Sequence, residues 1–203
     1  MKLIDALKQS GRPFEIPDAS RNDLPELFIE LGFKVGTEIG VKAGEFSEVI
    51  CSAGLKLYGV DPYLKYDDYI EPETQQTLNQ AMDKASSRLK GFDFTAIKKT
   101  SMSAISDFAD ESLDFVYIDG NHSFKFVTED IFEWSKKVKK GGIISGHDYV
   151  YLGSRDKHQV HSKYVVDAYT KAFGITKWYV IGRKEKVSGE KRDPYRSWFW
   201  IKA

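Results

Sequence analysis

The chain has 203 residues, 41% of them hydrophobic and 30% charged, with 30 Lys plus Arg set against 30 Asp plus Glu. That length suits one domain over residues 1–203, able to bury roughly 70% of the surface its unfolded form exposes, so neither disulfide nor metal is needed for folding. Zero net charge argues against a nucleic-acid partner or a polybasic membrane anchor, and the single cysteine, Cys51, excludes an internal disulfide and points to the cytoplasm.

In chain order, the opening MKLIDALKQSGR carries charge too early for a signal peptide, and no apolar run is long enough to span a bilayer. Leu3, Ile4 and Leu7, then Leu24, Leu27, Phe28 and Leu31, recur at helical spacing and predict two short helices. Pro13 and Pro17 separate them, and Pro25 suits the first turn of the second. Residues 34–39 predict a first strand, followed by a Gly-rich turn and a helix over 45–52. Residues 55–60 predict a second strand that ends at Asp61-Pro62. Leu78, Met82, Ala85 and Leu89 mark a helix with one apolar face.

Residues 92–98 predict a third strand, after which Ser101 is placed to cap a short helix reaching residue 108. Residues 113–118 predict a fourth. Phe124, Val127, Ile131, Trp134 and Val138 share a helical face, and the Lys-rich end followed by Gly141-Gly142 predicts a C-terminal cap. Residues 143–146 predict a short buried fifth strand, and a loop to about residue 159 leads into a helix ending at 173. The aromatic, β-branched segments 177–181 and 197–201 predict an antiparallel hairpin, with Trp178, Trp198 and Trp200 as sheet packing. Strands alternating with helices give an α/β class: a Rossmann-like doubly wound sheet, mostly parallel, with an antiparallel C-terminal hairpin. The hairpin, as an exposed aromatic edge, is a candidate homodimer surface.

Ligands of such sheets bind beyond the carboxyl ends of the strands, where strand order reverses. The chemistry therefore belongs at 38–44, Asp61, 100–103, 119–122 and 146–149. Gly40 and Gly44 allow a tight turn and a close approach to backbone. Lys42 stands where the dehydrogenase fingerprint needs its second glycine, and no G-K-[ST] follows. Glu38 before the turn would repel a pyrophosphate but suits an ammonium. Asp61, 21 residues after Gly40, can accept both hydroxyls of a ribose, in NAD or in S-adenosylmethionine.

The acid-x-G-x-x-x-G turn and the second-strand acid resemble those of class I S-adenosylmethionine-dependent methyltransferases. LDFVYIDGNHSF (113–124) and KKGGIISGHDY (139–149) are similar to the fourth and fifth strands of a bacterial branch of small-molecule methyltransferases. The resemblance implies strand order 3-2-1-4-5-7-6 and S-adenosyl-L-methionine as cofactor. It implies Gly40 and Gly44 at the methionine part, Glu38 near its amino group, Asp61 on the ribose, Ser101 and Met102 bordering adenine, and Asp119 facing the methyl group. Thr100 stands where many relatives carry an Asp. A small-molecule acceptor, most naturally methylated on oxygen, follows from the same resemblance.

Asp119, His147 and Asp148 come from neighbouring strand ends and form a candidate site for a divalent metal ion, which would lower an acceptor hydroxyl's pKa. His147 in place of an oxygen ligand favours a softer ion than Mg²⁺. Asp119 and His122 are the candidate catalytic residues. His122, titrating near neutrality, is the candidate general base, since Asn121 cannot take a proton; otherwise it orients Asp119. Tyr149, Tyr151, Arg155, His158 and His161 are a candidate lid or a solvated loop, and residues 1–33 are expected to cover the substrate side. Two alternatives stand beside this reading: a nicotinamide-dependent oxidoreductase using the same turn and Asp61, and a non-catalytic nucleotide-binding module.

Overall fold

In a computed structural model, which describes residues 1–66, 73–151, 160–183 and 195–203, the alternating apolar segments pair into one eight-stranded sheet. The strands are β1 (Phe14–Ile16), β2 (Val35–Ile39), β3 (Lys56–Val60), β4 (Phe94–Ile97), β5 (Leu113–Ile118), β6 (Val138–Gly146), β7 (Trp178–Ile181) and β8 (Ser197–Ile201). The helices are α1 (Leu3–Ala6), α2 (Leu24–Glu30), α3 (Glu45–Ser52), α4 (Gln75–Arg88), α5 (Ser101–Ala104), α6 (Phe124–Lys137) and α7 (Ser162–Ala172). No helix among the described residues is long and apolar enough to cross a membrane.

Strand order is β4-β3-β2-β5-β6-β8-β7-β1. The first seven positions reproduce the expected 3-2-1-4-5-7-6 arrangement. Only β8 runs antiparallel to its neighbours β6 and β7. The eighth strand, β1, is new: three residues between Pro13 and Pro17 that pair parallel with β7. It is too short for a periodicity to register. It also corrects the expectation of an exposed aromatic hairpin edge: β1 covers β7, and Trp178, Tyr179, Trp198, Phe199 and Trp200 are all buried. The stacked Trp198 and Trp200 rings are sheet packing, as expected.

Alternation along β5 shows how the sheet is covered. Val116 and Ile118 pack with α6 and α7, through Val127, Ile131, Trp134, Val165 and Val166. Phe115 and Tyr117 point the other way, against Leu24, Leu27 and Phe28 of α2 and Phe46 and Ile50 of α3. Burial of each such side chain contributes roughly 1.5–3 kcal/mol. α4 closes the far end, packing Ala81, Ala85 and Leu89 on Val41 and Tyr63.

Gly141-Gly142 does not cap a helix. α6 passes directly into β6, and both glycines lie inside that nine-residue strand. A Cβ on Gly142 would sit 2.4 Å from the Asp114 carbonyl oxygen, and Gly141 and Gly142 exchange hydrogen bonds with Lys202. Gly142 serves close backbone approach within the sheet and Gly141 a positive φ of 79°, and neither terminates a helix.

Strand order reverses between β2 and β5, and their carboxyl ends meet almost without clearance. Gly40 has φ +89°, and a Cβ there would lie 2.2 Å from the Asp119 carbonyl oxygen. The Asp119 amide in turn donates to Ile39 at 2.8 Å. The glycine therefore brings the first turn and Asp119 together, at the reversal point where a ligand is expected.

Candidate functional site

A cavity of about 920 Å³ opens at this reversal point, lined among others by Glu38, Gly40, Asp61, Ser101, Met102, Asp119, His122, His147 and Asp148. Every residue expected from the sequence to be catalytic, cofactor-binding or metal-binding contributes to it except Gly44. Gly44 has φ +74° and starts α3; a Cβ there would press on Leu89 and Ala85, so it seats α4 and shapes the turn from behind.

Asp61 holds that turn. Its Oδ2 accepts from the amides of Val41 (3.0 Å) and Lys42 (2.9 Å), and its Oδ1 from the amide of Tyr63 (2.8 Å). Lys42 and Tyr63 both have positive φ, a conformation these amide bonds stabilise. Burial raises the Asp61 pKa against those three bonds. Oδ1 keeps acceptor capacity for a ligand hydroxyl.

Glu38 lies at the floor, 2% exposed, and accepts a short hydrogen bond from the Ser47 hydroxyl on α3. Burial, reinforced by the charge of Asp119, pushes its pKa up to about 8. A carboxyl protonated in the fold and ionised in the unfolded chain stabilises the protein below its unfolded pKa, and that stability is lost as pH rises through about 8. Glu38→Gln keeps an acceptor for Ser47 and has no charge to bury. Its melting temperature is expected to match the parent's near pH 4 and to exceed it above pH 8, by a free-energy difference on the order of a few kcal/mol. Parallel melting curves from pH 4 to 9 check this.

At the adenine end expected from the sequence, the helix cap is Thr100, not Ser101. The Thr100 side chain accepts from the Ser103 amide. Ser101 instead points inward, giving a short hydrogen bond to Asp130 and accepting from the Trp134 indole at 2.7 Å. Asp130 was hidden in the sequence because it shares a helical face with Val127, Ile131 and Trp134, which reads as apolar. It is 3% exposed, lines the cavity, and burial pushes its pKa up to about 7. A buried acid at a core helical position was the one available signal.

The other end holds two carboxylates, two imidazoles and a guanidinium. His122 Nδ1 lies 3.0 Å from Asp148 Oδ2. His147 Nδ1 lies 3.0 Å from Asp148 Oδ1 and 3.4 Å from Asp119 Oδ1. His147 Nε2 faces the Tyr195 carbonyl at 3.0 Å and must donate to it. Burial alone would lower the His147 pKa, but the electrostatic pull of Tyr117 and Asp119 and hydrogen bonds to Asp119 and Asp148 hold it well above the ordinary value. Asp148, at φ +57°, is likewise opposed by burial yet held below the usual carboxylate range by His147 and His122.

Arg21 was not anticipated. It begins the 3-10 turn Arg21–Asp23, which Ser20 and Asp23 close with reciprocal capping bonds. Its guanidinium lies over the Phe46 ring at 5.1 Å and donates to Asp119 Oδ2 at 2.9 Å. Its signal, a lone Arg between two short helices, is indistinguishable in sequence from a surface charge.

For the expected metal set, the ligand atoms that converge within 4.8 Å of one another belong to Asp119, His122 and Asp148. The imidazole in that group is His122; His147 braces the two carboxylates from the side. In the expected lid, Arg155 and His158 lie outside the described residues. Tyr149 is no lid residue: it is 3% exposed and donates to Asp167 at 2.7 Å. His161 supports the His122 loop, donating its amide to the His122 carbonyl at 2.8 Å and accepting the Phe124 amide at 3.1 Å.

The family described as a methyltransferase domain matches residues 34–149 of this chain. No curated protein matches it. Among solved structures it is similar to an O-methyltransferase from Bacillus cereus in complex with SAH, at 13% identity and TM-score 0.62, over 90% of this chain and 80% of that one. It is also similar to the O-methyltransferase TomG from Streptomyces achromogenes, in complex with SAM, at 12% identity and TM-score 0.59, over 90% and 79%. An rRNA methylase from Streptococcus thermophilus has the same fold, at 14% identity and TM-score 0.57, over 88% and 93%.

Proposed function

The chain belongs to the methyltransferase domain family, and from that premise we propose that it transfers a methyl group from S-adenosyl-L-methionine to a hydroxyl oxygen of a small-molecule acceptor. The observation that carries this reading is the His122–Asp148 pair, 3.0 Å apart, on the wall of the cavity that Glu38, Gly40 and Asp61 also line. A base oriented by a carboxylate, next to a site suited to an adenosine and an ammonium, is what methylation of a hydroxyl requires. The family does not favour the nicotinamide alternative.

The residues present suit the cofactor. Asp61 offers acceptor capacity to ribose hydroxyls, Glu38 a carboxyl to the ammonium, and Gly40 lets the first turn line the cavity directly beside Asp119. Ser101, Met102 and the buried Asp130 border the space for adenine, where a carboxyl suits the exocyclic amine. When bound, the cofactor supplies a methyl group on a sulfonium, which departs as a neutral thioether.

At the acceptor end, His122 donates Nδ1–H to Asp148, which leaves the Nε2 lone pair for the acceptor's proton. Arg21, held by Asp119, lines this end of the cavity and with His122 positions the acceptor oxygen.

Titration with S-adenosylhomocysteine by calorimetry tests the proposal, with micromolar affinity expected. Glu38, protonated before binding, should release its proton on meeting the ammonium. The heat is then expected to vary with the buffer's ionisation enthalpy at pH 7, and not to vary in Glu38→Gln. Absence of any binding overturns the reading; binding without transfer to any of a panel of hydroxylated acceptors supports the non-catalytic module instead.

A further inference from the structure

The converging ligand atoms of Asp119, His122 and Asp148 leave room for a divalent ion, but the charge around them does not ask for one. Each carboxylate oxygen already faces a nitrogen. Asp119 Oδ2 takes Arg21 at 2.9 Å and Oδ1 faces His147 at 3.4 Å. Asp148 Oδ1 takes His147 and Oδ2 takes His122, each at 3.0 Å. Mg²⁺ wants near-octahedral oxygen at about 2.0–2.1 Å, whereas this set brings an imidazole and a carboxylate shared with a guanidinium. Any ion would have to displace Arg21 from Asp119 or sit beside its positive charge in a site where Asp119 is only 20% exposed.

Arg21 is not a side chain that swings in by chance. The turn that carries it is closed by the Ser20–Asp23 capping bonds, and the guanidinium rests on Phe46 of α3. Its side chain is 22% exposed, held between the ring and the carboxylate. An arginine keeps its charge at any accessible pH and offers several donors in a rigid fork. These are the properties of a permanent cation aimed at the acceptor end of the cavity.

We infer that Arg21 takes the place of a divalent ion in this site, so that the N-terminal segment supplies the positive charge and methyl transfer proceeds without metal. The inference rests on the methyl-transfer reading for its chemical meaning. A bound ion would grip two adjacent acceptor oxygens; Arg21 with His122 needs only one hydroxyl, whose oxygen the guanidinium stabilises as its proton passes to His122. Single hydroxyls, and not only vicinal diols, then qualify as acceptors.

The test is a Mn²⁺ titration by calorimetry of the full chain, wild type against Arg21→Ala and Arg21→Lys, with S-adenosylhomocysteine titrated separately. Wild type and Arg21→Lys are expected to show no Mn²⁺ binding tighter than millimolar. Arg21→Ala, with Asp119 released, is expected to bind Mn²⁺ at least tenfold more tightly. Arg21→Gln, closer in shape, carries the same expectation if the alanine variant does not fold. Micromolar Mn²⁺ binding by wild type, or no gain in either neutral variant, overturns the inference. Loss of S-adenosylhomocysteine binding in wild type would strike the methyltransferase reading alone and leave the metal comparison intact.

Discussion

Asp61→Ala is expected to weaken S-adenosylhomocysteine binding by roughly 10²–10³-fold, read by calorimetry on a variant shown by circular dichroism to be folded. Two losses combine. On the proposed cofactor reading the ribose loses its acceptor, and hydrogen bonds to a charged group are worth about 1.5–3 kcal/mol each, with every 1.4 kcal/mol a factor of ten. The turn loses its anchor as well, since the amides of Val41, Lys42 and Tyr63 all end on this carboxylate. Without it, positive φ at Lys42 and Tyr63 is left without compensation, and the binding turn must be ordered at the ligand's expense. Asp61→Asn keeps one carbonyl oxygen and is expected to lose only about tenfold. Affinity within threefold of wild type in the alanine variant would remove Asp61 from the cofactor site.

His122→Ala is expected to lower kcat for transfer to a hydroxyl acceptor by about 10²–10⁴-fold, the usual span for a general base. Its S-adenosylhomocysteine affinity should stay within about threefold, because the proposed cofactor contacts are those of Glu38, Gly40 and Asp61 and not of His122. Asp148→Asn leaves the imidazole in place without the carboxylate that fixes its tautomer, so a smaller loss, roughly 10–10²-fold, is expected. Equal rates for wild type and His122→Ala would move the proton-accepting role to another group or leave the acceptor's own acidity sufficient.

The doubly wound core was legible because each of its elements carries its own period. β5 is an apolar run buried along its whole length, α4 and α6 repeat every three to four residues, and β7 and β8 are aromatic and β-branched. Site residues on strand ends were legible for the same reason: the ends of β2, β3, β5 and β6 put Glu38, Asp61, Asp119, His147 and Asp148 at one cavity. What stayed hidden has no local period. β1 is three residues between prolines, and only pairing with β7 makes it a strand. Asp130 hides within an apolar helical stripe, and Arg21 acquires meaning only from a carboxylate 98 positions away. The Gly141-Gly142 pair misled because a helix cap, a positive φ inside a strand and a close strand approach all use the same residue.

The pairing of β1 with β7 also governs when the cavity can be completed. Residues 14–16 find their partners at 179–181, and β7 is held in the sheet by β8, whose Trp198 donates to the His147 carbonyl at 3.0 Å. The turn that delivers Arg21 follows β1 by only a few residues. A contact of such sequence separation closes late, after the local helices and the central parallel strands, because the loop entropy must be met before the pairing rewards it. During synthesis, a nascent chain that has exposed residues 1–150 thus has Asp61, Asp119 and His122 but neither the sheet edge that positions Arg21 nor the tryptophan behind His147. Assembly of the last two strands is then the event that completes the cavity wall carrying Arg21 and His147.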